Sequence, residues 1–170
     1  MEPFIAAVDL ALQSRNWYAA LTSALILPDV AGWVDDPSQS SAHRYQRWFD
    51  NFVGPAYTSI RQNGELTVFL SGGDCYALRC SVLHEGRDET EHQRARDVLT
   101  RFQFVAPRGR NWIVHCNMVD SKLQLQLDIF CRDVCSGACT WLSQIPRNDF
   151  PRQRRLAELL RIQIAGPISF

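Results

Sequence analysis

The chain has almost no lysine: Lys122 is the only one, and arginine supplies the other seventeen of its 18 basic residues. Arginine suits bidentate phosphate contacts, and a GC-rich coding sequence produces the same bias. Net charge is also missing, because 18 acidic residues balance the 18 basic ones. That removes any global electrostatic pull toward nucleic acid or membrane and leaves only local polyanion sites. No run approaches the roughly 18 apolar residues that a membrane span requires. The opening MEPFIAAVDLALQSRN places Glu2 and Asp9 where a secretory signal would carry basic residues and then an unbroken apolar core, so it reads as an amphipathic helix of the mature protein. A cytoplasmic protein without membrane contact is expected, in which the six cysteines (75, 80, 116, 131, 135 and 139) stay reduced. Internal repeats, low-complexity segments, a Gly-rich phosphate loop, a Ser/His/Asp signature and paired metal carboxylates do not stand out either. Neither a cofactor nor a metal is expected.

What is present is apolar pattern. With 46% hydrophobic residues over 170 positions, the chain can bury a proper core, and one domain spanning 1–170 is expected. Residues 3–34 carry helical periodicity twice: Phe4, Ile5, Val8, Leu10 and Leu12, then Trp17, Leu21, Leu25 and Ile26, with Pro28 and Gly32 near the close. DDPSQSS is a loop by composition. AHRYQRWFDNFV puts Tyr45, Trp48, Phe49 and Phe52 at helical spacing and is stopped by Gly54 and Pro55. After a polar connection, Ser71 or Asp74 caps a helix that runs to Gly86. The segment 85–97 is charged and solvated.

The period then changes. RFQFVA, NWIVHCNMV and KLQLQLDI are short alternating runs, separated by PRG and by Asp120 and Ser121, which reads as a three-stranded antiparallel β-meander over 101–127. In the third run Leu123, Leu125 and Leu127 share one face while Gln124 and Gln126 share the other. Helix resumes near Asp128 and continues to Ile145. A last amphipathic helix, 150–163, has Pro151 at an allowed first-turn position. The expected class is therefore α+β: a helical bundle with a small meander inserted before the last long helix.

Two local features bear on function. Cys131, Cys135 and Cys139 form an i, i+4, i+8 stripe; spread over about 12 Å of helix, they are too far apart to share one ion and read as buried small apolar side chains, a stripe that suggests a close helix contact, with a dimer seam as one place for it. Arg152, Arg154 and Arg155 cluster at the start of the last helix, and Arg108 and Arg110 at a hairpin tip. Either cluster can track a phosphate backbone or stand as solvated surface.

The third feature is YALRCSVLHEG, residues 76–86. Of the Arg and His pairs at this kind of spacing, only Arg79 and His84 fall on a helix flanked by core residues. Five positions along a helix separate them by about 140° around the axis, so they meet only through the reach of the arginine or across a symmetric dimer. Read as residues alone, the pair is either an acid/base constellation or an ordinary helix end, with His84 favourable at the C-terminal dipole and Arg79 paired to Asp74 or Glu85.

The segment resembles the Arg-x-x-x-x-His motif of HEPN domains, a superfamily of helical bundles found in bacterial toxins, phage-defence proteins and RNA-processing enzymes. More widely, ALILPDVAGWV, RYQRWFDNFVGP, LSGGDCYALRCSVLHEG and LQLDIFCRDV are similar, in this order, to blocks of an uncharacterised group of bacterial proteins, a resemblance that implies no activity. The HEPN resemblance covers about one helix and implies a homodimer whose cleft cleaves RNA without metal. In that reading His84 is the general acid/base, Arg79 stabilises phosphoryl charge, and the product carries a 2′,3′-cyclic phosphate. Active HEPN members usually place a polar residue directly after the arginine, and here that position is Cys80. The alternative implied by the same resemblance is a non-catalytic module that binds RNA, a nucleotide or a protein partner encoded nearby.

Overall fold

The computed structural model of the protein describes residues 1–60, 63–84, 100–109 and 112–162, with the backbone alone for His84. Among the described residues, six helices and two small sheets are assigned: α1 Glu2–Gln13, α2 Trp17–Asp35, α3 Ser41–Phe52, a 3₁₀ turn Gly54–Tyr57, β1 Thr58–Ile60, β2 Leu66–Val68, α4 Gly72–His84, β3 Phe102–Val105, β4 Asn117–Val119, β5 Lys122–Gln126, α5 Leu127–Ser143 and α6 Phe150–Ala157. The class is α+β and mainly helical, as the patterning indicates. No helix among the described residues is long and apolar enough to cross a membrane.

Side-chain caps fix where the helices start. The Asn16 side chain accepts from the Ala19 amide, Ser40 Oγ from the His43 amide and Asp149 Oδ1 from the Arg152 amide, each satisfying a first-turn donor that the helix cannot. Before α4 the cap is reciprocal: Ser71 Oγ accepts from the Asp74 amide, and Asp74 Oδ2 accepts from the Ser71 amide and hydroxyl.

Helix α2 is the central element. Ala20, Ala24, Leu25, Leu27, Ala31 and Val34 are buried, and α2 touches α1, α3, α4, α5 and α6. It does not close at Pro28 but runs through it to Asp35. An interior proline costs about 3 kcal/mol in an isolated helix; here Pro28 is itself buried between neighbouring helices, whose packing outweighs the lost hydrogen bond. Trp48, Trp141, Tyr45, Tyr57, Phe49 and Phe130 are the largest fully buried side chains. Trp141 is edge-on to Trp48 at 6.3 Å and donates Nε1–H to Asp35 at 3.0 Å.

The sheet corrects the expected meander. Its strand order is β3-β5-β4, with β5 antiparallel to β4 but parallel to β3. Leu123 and Leu125 of β5 are buried, whereas Asn117, Met118 and Val119 of β4 are exposed, so burial places the third strand in the middle and the second at an edge. The connection from β3 to β5 contains β4 itself. Asp120 and Ser121 have φ of 47° and 65°, the pair of left-handed conformations that a two-residue type I′ hairpin requires. Gln124 spans the exposed face: its amide donates to Gln103 Oε1 at 3.1 Å and its carbonyl accepts from Asn117 at 3.3 Å. The β1–β2 hairpin occupies what composition marks only as a polar connection; with Ile60, Leu66 and Val68 all exposed, it lacks the one-sided burial that reveals a strand.

The cysteine stripe follows its expected burial at two of three positions. Cys131 and Cys135 are buried within the chain, as small apolar side chains would be, and Cys139 is exposed. A close contact does exist, at Gly137, where a Cβ would stand 2.8 Å from the Phe52 carbonyl oxygen.

Candidate functional site

Arg79 lies where α2, α3 and α4 meet. Its Nη2 is 2.6 Å from Asp29 Oδ2, and the two side chains retain only 17% and 16% exposure. Asp29 is held from its other oxygen by the Ser41 hydroxyl at 2.8 Å. The guanidinium stands 6.0 Å from the Tyr76 ring centroid, and Tyr76 in turn meets Tyr45 edge-on at 5.4 Å. The Tyr45 hydroxyl and the Cys75 thiol are 3.3 Å apart and buried. Of the two sequence-derived partners, Asp74 does not take Arg79. Asp74 turns to Arg101 at 2.9 Å, and Glu85 lies outside the described residues. Helix geometry explains why an α2 carboxylate wins: a side chain buried on the face toward α2 meets Asp29 before it reaches its own helix's surface. Burial opposes the charge on Arg79, but Asp29 overcomes this and the pKa ends raised.

The guanidinium is only partly satisfied. Its Nη1 has a long 3.9 Å contact with Cys80 Sγ, and its buried Nε has no acceptor among the described residues. Cys80, the residue in the usually polar position, is itself buried. His84 is the last residue of α4, one and a half turns beyond Arg79, and its side chain lies outside the described residues.

The arginine clusters divide. Arg152 bonds Asp149 Oδ2 at 2.6 Å and Asp35 Oδ1 at 3.3 Å. Arg155 donates Nε–H to the Val34 carbonyl at 2.6 Å and Nη2–H to that of Asp35 at 3.3 Å. Both fasten α6 to the end of α2. Arg154 is 82% exposed and pairs with Glu158 four residues on. Arg108 is exposed beside the Trp112 ring at 5.9 Å, and Arg110 lies outside the described residues.

A second polar cluster joins the sheet to α5. The Tyr57 hydroxyl donates to Asp133 Oδ2 at 2.9 Å, and His115 Nε2 stands 3.7 Å from the same oxygen. His115 Nδ1 accepts from the Gln126 amide at 3.2 Å, which leaves the ring proton on Nε2. The Gln126 side chain accepts from the Val114 amide and donates to Asp128 Oδ1 at 2.8 Å, so it is buried, not exposed as alternation suggests. Spacing alone gives no sign of this cluster, whose members lie up to 76 residues apart.

Burial lowers the pKa of His115 against the opposing charges of Asp133 and Asp128. A depressed histidine pKa means that the unfolded chain binds the proton more readily, so stability is lost as pH falls below the unfolded value of about 6.5. The urea midpoint of the protein should therefore drop between about pH 6.5 and 5 more steeply than that of His115→Gln, as fluorescence titrations at matched pH would show.

Burial also pushes the Cys75, Cys131 and Cys135 thiols up to about 12. Iodoacetamide at about pH 8 should label exposed Cys139 in the native protein and leave those three unmodified until urea unfolds it; mass spectrometry of the digested chain reads this directly. Among the described residues no group of three or more His, Cys, Asp or Glu is arranged to hold a metal ion.

No family model, curated protein or solved structure matches the chain.

Proposed function

We propose that the protein is a HEPN-like endoribonuclease of the toxin or phage-defence type, acting without metal at a cleft formed by two copies of the chain. Arg79 grips the scissile phosphate and His84 moves the proton. The observation that carries this reading is the half-used guanidinium. Asp29 anchors one nitrogen of Arg79, while Nε and Nη1 face no strong acceptor among the described residues. A donor without a strong acceptor is unfavourable by roughly 1–3 kcal/mol; a phosphate oxygen supplies one to Nη1, while Nε stays buried within the chain. Anchoring also holds the fork rigid, so the phosphate meets a preorganised charge. The ribose 2′-hydroxyl attacks the adjacent phosphorus and its proton passes to the His84 imidazole; the P–O5′ bond breaks as the imidazolium returns that proton to the departing 5′-oxygen, leaving a 2′,3′-cyclic phosphate. DNA lacks the attacking hydroxyl and is spared.

A non-catalytic binding module of the same fold is the second reading, favoured by one fact: the Asp29 carboxylate already takes the Nη2 that a phosphate would share. Sedimentation with and without RNA, followed by cleavage in EDTA of an RNA and of its DNA counterpart, separates the two. A dimer that yields cyclic phosphate from RNA alone supports the nuclease. A dimer that retains RNA intact and loses it on Arg79→Lys supports the binding module. A chain that stays monomeric at high concentration removes the composite cleft, and both readings with it.

A further inference from the structure

We infer that a second site, a groove of about 880 Å³ at the corner between α1 and α2, binds a nucleoside phosphate. Three segments build it: Arg15 and Trp17 from the corner, Arg108 and Trp112 from the β3–β4 connection, and Asp128 and Arg132 from the first turns of α5. The volume is within the usual range for small-molecule sites.

The groove's charge is uneven in a way the neutral chain is not. Arg132 Nη1 bonds Asp128 Oδ2 at 3.0 Å, so those two largely cancel. Arg15 and Arg108 have no carboxylate partner among the described residues, which leaves two cations turned toward one concavity and suits an anion with about two charges. Arg15 reaches the groove because its backbone is left-handed, with φ of 56°, at the corner where α1 gives way to α2. Phosphate alone would leave the indoles of Trp17 and Trp112 without a role, and an uncharged aromatic ligand would leave the arginines unpaired. A nucleoside phosphate uses both, with its base against an indole face and its phosphate in a guanidinium fork. Arg108 lies beside the Trp112 ring, so the two recognition elements are adjacent and already mutually oriented.

This site is separate from Arg79. Asp29, the partner of Arg79, lies twelve residues along α2 from Trp17, about 18 Å at the helical rise, and the inference does not depend on cleavage.

The test is calorimetric titration of the His84→Ala chain, in which cleavage plays no part, with AMP, adenosine, inorganic phosphate and a short oligoadenylate at low salt. AMP should bind, with adenosine and phosphate each at least about tenfold weaker, and Arg108→Glu or Trp112→Ala should weaken AMP by about tenfold or more. Arg108 is exposed and Trp112 half-buried, and unchanged urea midpoints would show that the variants fold. An oligoadenylate about tenfold tighter than AMP identifies an RNA strand as the source of the nucleotide, and equal affinity identifies the free nucleotide. AMP binding no tighter than phosphate, indifferent to both substitutions, or undetectable at millimolar concentration overturns the inference.

Discussion

Replacing His84 with alanine is expected to lower RNA cleavage by about a hundredfold or more, the usual contribution of a positioned general acid/base. The substitution falls on the final residue of α4, and loss of rate with an unchanged unfolding midpoint would isolate chemistry from folding. Arg79 needs more care. Arg79→Ala leaves Asp29 without its 2.6 Å partner, although the Ser41 hydroxyl still satisfies one oxygen. Arg79→Lys keeps the charge and the Asp29 pair but loses the fork that reaches a second acceptor, so it should lose cleavage while retaining most of the stability. Initial rates in EDTA on end-labelled RNA, with the cyclic phosphate identified by mass, provide the measurement. A His84→Ala chain that cleaves at the parental rate rules out the imidazole as the proton carrier.

The largest expected effect on stability comes from Gly72→Ala. Helix α4 starts hard against α3: a Cβ at position 72 would stand 2.5 Å from the Gln46 carbonyl oxygen and 2.8 Å from its Cα, and the Gly72 amide donates to Asp50 Oδ1 at 2.6 Å. Those neighbours are backbone atoms within a helix and do not step aside as a flexible side chain would. Overpacking of this kind costs about 3 kcal/mol, more than a hundredfold in the folding constant and a large part of a typical domain's stability. Gly73→Ala is the control. Its Cβ would meet only Ser71 Oγ, at an ordinary 3.6 Å, and alanine in a helix is better tolerated than glycine by about 1 kcal/mol. Paired urea melts should therefore move in opposite directions from adjacent residues, and equal midpoints would show that the two helices part without cost.

The contrast between those two glycines shows what could be read before the fold was known. Helical periodicity located α1, α3 and α5 to within a few residues because each presents an apolar face at 3.6-residue spacing, while α2 is apolar around most of its surface and the start of α4 is marked by the local hydrogen-bonding chemistry of Ser71 and Asp74. The tight turn at Asp120 and Ser121 was legible for the same local reason. Strand order was not. Alternation in KLQLQ identifies a strand and its buried face, but the parallel partner Phe102–Val105 is selected by which strand has most to bury, and that is settled only in three dimensions.

The candidate site divides the same way. Arg79 and His84 stand out by type and spacing on a core helix, whereas Asp29, Ser41 and Tyr45 are brought to Arg79 by helix packing that no short string encodes. Likewise, Arg152 and Arg155 look like a basic patch when α6 is considered alone. Their carboxylate and carbonyl partners belong to α2, more than a hundred residues earlier.

That last distance bears on how the chain is made. The closing turn of α2 leaves carbonyls without intrahelical donors, and Arg155 covers two of them while Trp141 and Arg152 hold the Asp35 side chain. A ribosome adding about 5–20 residues per second needs about 6–24 s to travel from Val34 to Arg155. Throughout that interval the central helix of the nascent protein has an uncapped end, and it waits for a segment more than a hundred residues downstream to finish it.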